Sequence, residues 1–124
     1  MSEKYKVSDQ DRLYFITFAV VYWVDVFSRQ LYRDIIVDNN PNHANYGSRS
    51  NHIHLIVGRD GKSSIESIVR DFKKYTSVHI CRAIENNYKE TRRDWMLDLF
   101  QKAALESSKH QKYKFWQNQY HPIV

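Results

Sequence analysis

The sequence predicts a single α+β domain, with helices packed against an antiparallel sheet. Three observations lead there. Two runs, Leu13 to Trp23 and Ser50 to Val57, are rich in β-branched, aromatic and aliphatic residues, as strands are. Three other stretches repeat apolar residues at helical spacing. The two kinds of segment alternate along a chain of 124 residues, which suffices for one core without disulfides. The whole of 1–124 is therefore expected to form one domain.

Taken in order, Met1 to Arg12 is polar and reads as a loose lead-in. Leu13 to Trp23 has almost no polar interruption and is expected to be a central strand covered on both faces. Ser28 offers an N-cap for a helix over Arg29 to Asp38, where Leu31, Tyr32, Ile35 and Ile36 recur at helical spacing. Asn39 to Ser50 is dominated by Asn, Pro, Gly and Ser and reads as turns. A second strand there is short or missing, with only Ala44-Asn45-Tyr46 to serve. After Gly58-Arg59-Asp60-Gly61, Ser63 and Glu66 have capping-box spacing, and an amphipathic helix runs to about Ile84. Its apolar side holds Ile65, Ile68, Val69, Phe72, Thr76, Ile80 and Ala83. Arg70, Lys74 and Ser77 fall opposite, with Lys73 on the flank. Glu85 to Lys89 reads as a break. Thr91 and Asp94 open a third helix with the stripe Trp95, Met96, Leu99, Phe100 and Ala103, expected in the core or a dimer contact. Glu106 to Gln111 is polar loop, and Lys112 to Gln117 has short strand character.

Composition limits the function classes. Nineteen Lys and Arg against 14 Asp and Glu give +5 and a pI near 9.3, which favours a polyanionic partner. Aromatic residues make up 15%, and rings that stack on bases beside cations that hold phosphates suit nucleic acid. One cysteine, Cys81, cannot staple the chain, so a reducing cytoplasm is the expected location. No signal peptide is evident, and no apolar run approaches the roughly 18 residues of a membrane span.

The stretch with the clearest chemistry is Asn51-His52-Ile53-His54-Leu55-Ile56-Val57. On a strand, residues two apart share a face, so His52 and His54 point one way and Ile53 the other. Two imidazoles on one rigid face are half of a metal site; two polar residues on a solvated face are the bland alternative.

The motif closely resembles the His-hydrophobic-His (HUH) motif of the single-tyrosine transposases of insertion sequences. Phe15-Ile16-Thr17-Phe18, Asp71-Phe72-Lys73-Lys74-Tyr75-Thr76-Ser77, Phe115-Trp116-Gln117 and His121-Pro122-Ile123 stand in the same order as in the REP-associated branch of that family. The resemblance implies a ferredoxin-like sheet with helices on one face, a homodimer, and single-stranded or hairpin DNA as substrate. It implies a divalent ion, Mg²⁺ or Mn²⁺, on His52 and His54. It makes Arg70, Lys73, Lys74, Tyr75, Trp116 and Gln117 the expected DNA contacts, with Arg70, Lys73 and Lys74 beside the histidines. In the family a tyrosine attacks the phosphate and forms a phosphotyrosine while the metal polarises it. That tyrosine lies on a helix beyond Phe-Trp-Gln, in a Tyr-Ile-x-x-Asn-Pro type of motif that this sequence does not contain. None of Tyr75, Tyr113 or Tyr120 matches it, Tyr120 being a poor substitute, so no catalytic residue is assigned. The expected protein is a truncated transposase that does not cleave alone; a non-catalytic nucleic-acid-binding module is the alternative. A two-histidine phosphoesterase needs a second His-x-Ser/Thr, which is absent.

Overall fold

The computed structural model describes residues 13–38, 46–58, 64–107 and 109–118. The lead-in, the turn residues 39–45, the Ala44-Asn45 part of the weak strand, Arg59 to Ser63, Tyr120 and His121-Pro122-Ile123 lie outside them. The elements are β1 (Tyr14–Ala19), α1 (Gln30–Asp38), β2 (Tyr46–Ser48), β3 (His52–Val57), α2 (Ile65–Asn86) and α3 (Arg93–Leu105). The sheet is antiparallel in the order β1-β3-β2. Beyond β1, Val20 forms a lone antiparallel bridge with Trp116. The chain there adds a rudimentary fourth strand, held by Val21 N–H to Phe115 O at 2.9 Å and Gln117 N–H to Ala19 O at 2.8 Å. Order and connectivity are those of a β-α-β-β-α-β ferredoxin-like α+β fold, with β2 only three residues long.

Sheet register sorts the side chains. Tyr14, Ile16 and Phe18 lie opposite Val57, Leu55 and Ile53, and all six are buried. Helix α2 covers this face: Phe18 stacks on Phe72 with ring centroids 5.5 Å apart. Phe15, Thr17 and Ala19 lie opposite Ile56, His54 and His52 on the other face, where Phe15 and Ile56 are exposed. The expected cover on both faces is therefore corrected, because β1 has one open face. β3 is paired on both sides, and β1 is flanked by β3 and, at its end only, by the bridge at Trp116.

β1 also stops at Ala19 instead of running to Trp23. Tyr22 and Trp23 adopt φ of 54° and 55°, which turns the chain into two short 3₁₀ segments, Val21–Trp23 and Val26–Ser28. Ser28 does not cap α1; its hydroxyl donates to Asp25 O at 2.9 Å. The cap of α2 is Ser64, whose Oγ accepts from Ser67 N–H at 3.1 Å, one residue past the expected Ser63. α2 continues to Asn86, through the start of the expected break, and buries Ile65, Val69, Phe72, Thr76, Ile80, Cys81 and Ile84. α3 begins at Arg93 with no side-chain cap. It buries Met96, Leu97, Phe100, Ala103 and Ala104 in the core, which leaves Trp95 half exposed, outside the stripe. Lys112 to Gln117 forms only the one bridge because Phe115 and Trp116 both turn into the core.

Candidate functional site

As the two-residue spacing predicts, His52 and His54 share the open face of β3. Their ring centroids are 4.9 Å apart and the planes nearly perpendicular at 83°. Each Nδ1 is occupied: His52 Nδ1 lies 2.8 Å from Asn51 Oδ1, and His54 Nδ1 lies 2.9 Å from Thr17 Oγ1. An amide oxygen can only accept, so Nδ1–H of a neutral His52 donates to it and Nε2 keeps its lone pair. Thr17 can take the same part for His54, and Phe15 stacks on that ring at 5.2 Å. In metal sites, hydrogen bonds of this kind to the second ring nitrogen orient a histidine. Burial, then neighbouring His52 and the Arg49 guanidinium, lowers the His54 pKa and favours the neutral imidazole that a metal needs.

Among the described residues no group of three His, Cys, Asp or Glu forms a metal site. Two neutral nitrogens leave most coordination positions open to water or substrate oxygen. That donor set suits Mn²⁺ better than Mg²⁺, which prefers all-oxygen shells.

The other expected contacts lie elsewhere. Arg70, Lys73 and Lys74 line a groove of about 1790 Å³ between α2, the end of α3 and residues 109–118. Neither histidine lines it, because α2 packs on the helix-covered side of the sheet; the expected position beside the histidines is corrected. Seven basic and three acidic side chains line the groove, so it gathers most of the chain's positive surplus. Arg70 is exposed beside Asp71 at 3.5 Å, and Lys74 is exposed. Lys73 is engaged: its ammonium donates to Gln117 O at 3.0 Å and Asn118 O at 3.4 Å, clamping α2 to the last bridge. Burial, with Lys114 and Lys109 nearby, lowers its pKa to about 8, so it stays largely charged at neutral pH.

Tyr75 is exposed on α2, its ring 6.5 Å from that of His79. Trp116 and Gln117, both expected DNA contacts, belong to the lining of the same groove, with Trp116 at its floor. Trp116 is buried against Phe18, Phe27 and Phe115, and its Nε1–H donates to Thr76 Oγ1 at 3.0 Å. Gln117 is half-buried beside Ala19, whose cross-strand partner is His52, and its Nε2 donates to Val20 O at 3.2 Å. Sequence reasoning missed Thr17 and Phe15 as supports of His54, because only strand register brings them together.

Residues 19–103 match the model of a protein family described as "Transposase IS200 like". No curated protein matches the chain. No helix among the described residues is long and apolar enough to cross a membrane.

Proposed function

The chain belongs to the IS200-like transposase family, and from that membership we propose that it binds single-stranded or hairpin DNA and presents one backbone phosphate to a divalent ion held by His52 and His54. The family makes it a transposase-like, DNA-binding protein; the strand type, the metal and the REP-associated branch are part of the proposal. The observation that carries it is the pair of Nδ1 hydrogen bonds, which leaves both Nε2 atoms on one open face. Mn²⁺ or Mg²⁺ bound there supplies Lewis-acid polarisation of a phosphate oxygen. The protein's own part is to hold two neutral imidazoles rigidly, with Asn51 and Thr17 fixing their orientation. Arg70 and Lys74 attract the strand from the groove.

The proposal does not extend to cleavage by these residues. The described hydroxyls of Tyr22, Tyr32 and Tyr113 are bonded to Glu106, Glu90 and Glu85, Tyr14 is buried under α2, and Tyr75 and Tyr88 belong to α2 and its exit. None shares the histidine face, so none is placed to attack a phosphate there. A homodimer, as in the family, is part of the same reading, and sedimentation of the purified chain tests it.

The second reading, a nucleic-acid-binding module with idle histidines, is favoured by the separation of the groove from the histidines. One experiment separates the two. Mn²⁺ titration followed by electron paramagnetic resonance should show a site lost in His52→Ala and His54→Ala. A fluorescent DNA hairpin should bind more tightly with Mn²⁺ only in the unsubstituted chain. Metal-independent binding, unchanged in both variants, would leave the module reading standing. A denaturing gel should show no covalent protein–DNA adduct; a phosphotyrosine adduct would overturn that part.

A further inference from the structure

The turn after β1 presents two aromatic side chains on a backbone that large side chains rarely adopt. Tyr22 and Trp23 both have left-handed φ, 54° and 55°. Such a pair persists only where its surroundings fix it, and it is a pointer to function. Here Trp23 N–H donates to Val20 O at 3.0 Å, Val24 N–H to Val21 O at 3.3 Å and Val21 N–H to Phe115 O at 2.9 Å. Val20, Val21, Val24 and Val26 are buried on either side, so the turn is pinned at both ends while its two rings are pushed outward.

The two rings differ in their surroundings. Tyr22 lines the basic groove; its hydroxyl donates to Glu106, and the Lys102 ammonium sits 5.3 Å above its ring. The Trp23 indole is 59% exposed and has no side-chain hydrogen bond or ring contact among the described residues. A large rigid ring left in water, one residue along the chain from Tyr22 in the lining of the cation-rich groove, is matched by a ligand with anions along one edge and flat apolar faces along the other. A single strand of nucleic acid is that ligand: its phosphates suit Arg70 and Lys74, and its unpaired bases stack on an indole whatever their identity. A duplex hides those faces inside its own stack.

We propose that the Tyr22–Trp23 turn is a stacking platform for an unpaired base of a DNA strand whose backbone follows the groove of Arg70 and Lys74. The proposal rests on the DNA-binding reading above and adds to it the position of a base.

The test is fluorescence anisotropy of a labelled twelve-residue oligothymidylate, and of a duplex of equal length, against the full chain. Trp23→Asn removes the ring with a residue that tolerates positive φ, and Trp23→Phe keeps a ring. Circular dichroism confirms that both are folded. Trp23→Asn should weaken oligothymidylate binding about 10-fold, leave its salt dependence and duplex binding unchanged, and be largely rescued by Trp23→Phe. Equal affinity in Trp23→Asn and the unsubstituted chain would overturn the platform. The DNA-binding reading would then survive if Arg70→Ala with Lys74→Ala still weakened binding. If the unsubstituted chain failed to bind the oligothymidylate, the hairpin and the duplex, both would fall. A change in self-association with no change in DNA affinity would overturn the platform and assign the turn to a second copy of the chain.

Discussion

Glu90 is a buried carboxylate that locks the loop between α2 and α3 onto the start of α1, and replacing it by Gln should cost stability in a pH-dependent way. Its side chain is fully shielded from solvent. Arg29 Nη2 lies 3.2 Å from Oε2, Arg92 Nε donates to Oε2 at 3.2 Å, and the Tyr32 hydroxyl donates to Oε1 at 2.9 Å. Arg92 N–H adds a backbone bond at 3.3 Å. Arg92 in turn pairs with Asp25 at 2.7 Å, so one carboxylate organises four residues, Asp25, Arg29, Tyr32 and Arg92. Burial alone would raise the Glu90 pKa. The bonds from Arg92, Arg29 and Tyr32 outweigh that and lower it from an ordinary 4.5 to about 2.

A carboxylate whose pKa is depressed on folding stabilises the fold above its unfolded pKa and loses that contribution as pH falls towards the folded value. The displacement from 4.5 to about 2 corresponds to about 3 kcal/mol at neutral pH and about 2 kcal/mol at pH 3.5. That is a large share of the 5–15 kcal/mol typical of a domain. Glu90→Gln keeps the shape and one acceptor but removes the charge. Urea unfolding followed by circular dichroism should show the variant about 3 kcal/mol less stable between pH 5.5 and 7. The gap should shrink by about 1 kcal/mol on going to pH 3.5. A variant as stable as the unsubstituted chain, or a gap constant across that range, would refute the assignment of Glu90 as the charged centre of the network.

Further outcomes follow from single contacts. Thr17→Val removes the hydroxyl beside His54 Nδ1 and should weaken Mn²⁺ binding about 10- to 100-fold in the resonance titration without unfolding the chain; unchanged affinity would mean that Thr17 does not orient the ring. Arg70→Ala with Lys74→Ala should lower the slope of log affinity against log salt by about 1.4 for a single strand. Lys73→Ala, which loses the clamp on Gln117 and Asn118, should mainly lower the urea midpoint. Cys81 is buried, and burial followed by the Glu85 charge pushes its thiol up to about 12, so a disulfide reagent at pH 8 should label it only after unfolding.

Part of this arrangement is legible in the sequence because it depends on local periodicity. The two-residue spacing of His52 and His54 and the 3.6-residue return of Ile65, Val69, Phe72, Thr76 and Ile80 each determine a face without reference to the rest of the chain. Other features are set by tertiary context. Nothing local marks the end of β1, since Val20 to Trp23 has strand composition and no Gly or Pro; the positive φ of Tyr22 and Trp23 is imposed by the buried valines around it. In α3, Trp95 is one residue, about 100°, away from the buried Met96, and its own apolarity hides which phase faces the core. The periodicity of α2 shows that Arg70 and Lys74 face outward, but not on which side of the sheet the helix lies. That side separates them from the histidines.

The histidine pair and the core are tied to one register. Ile53, Leu55 and Val57 fill the face opposite His52 and His54, meeting Phe18, Ile16 and Tyr14 across the strand pair. A one-residue slip of β3 would bury both imidazoles and expose the three aliphatic side chains, at about 1.5–3 kcal/mol for each of the three. The same slip would carry Thr17 away from His54. The core therefore enforces the orientation of the imidazoles and the pairing that holds them, and the site requires no bond of its own to set the strand. For this reason the histidine face can stay open, with exposed Phe15 and Ile56 at its edge, while the fold remains determined by the face beneath it.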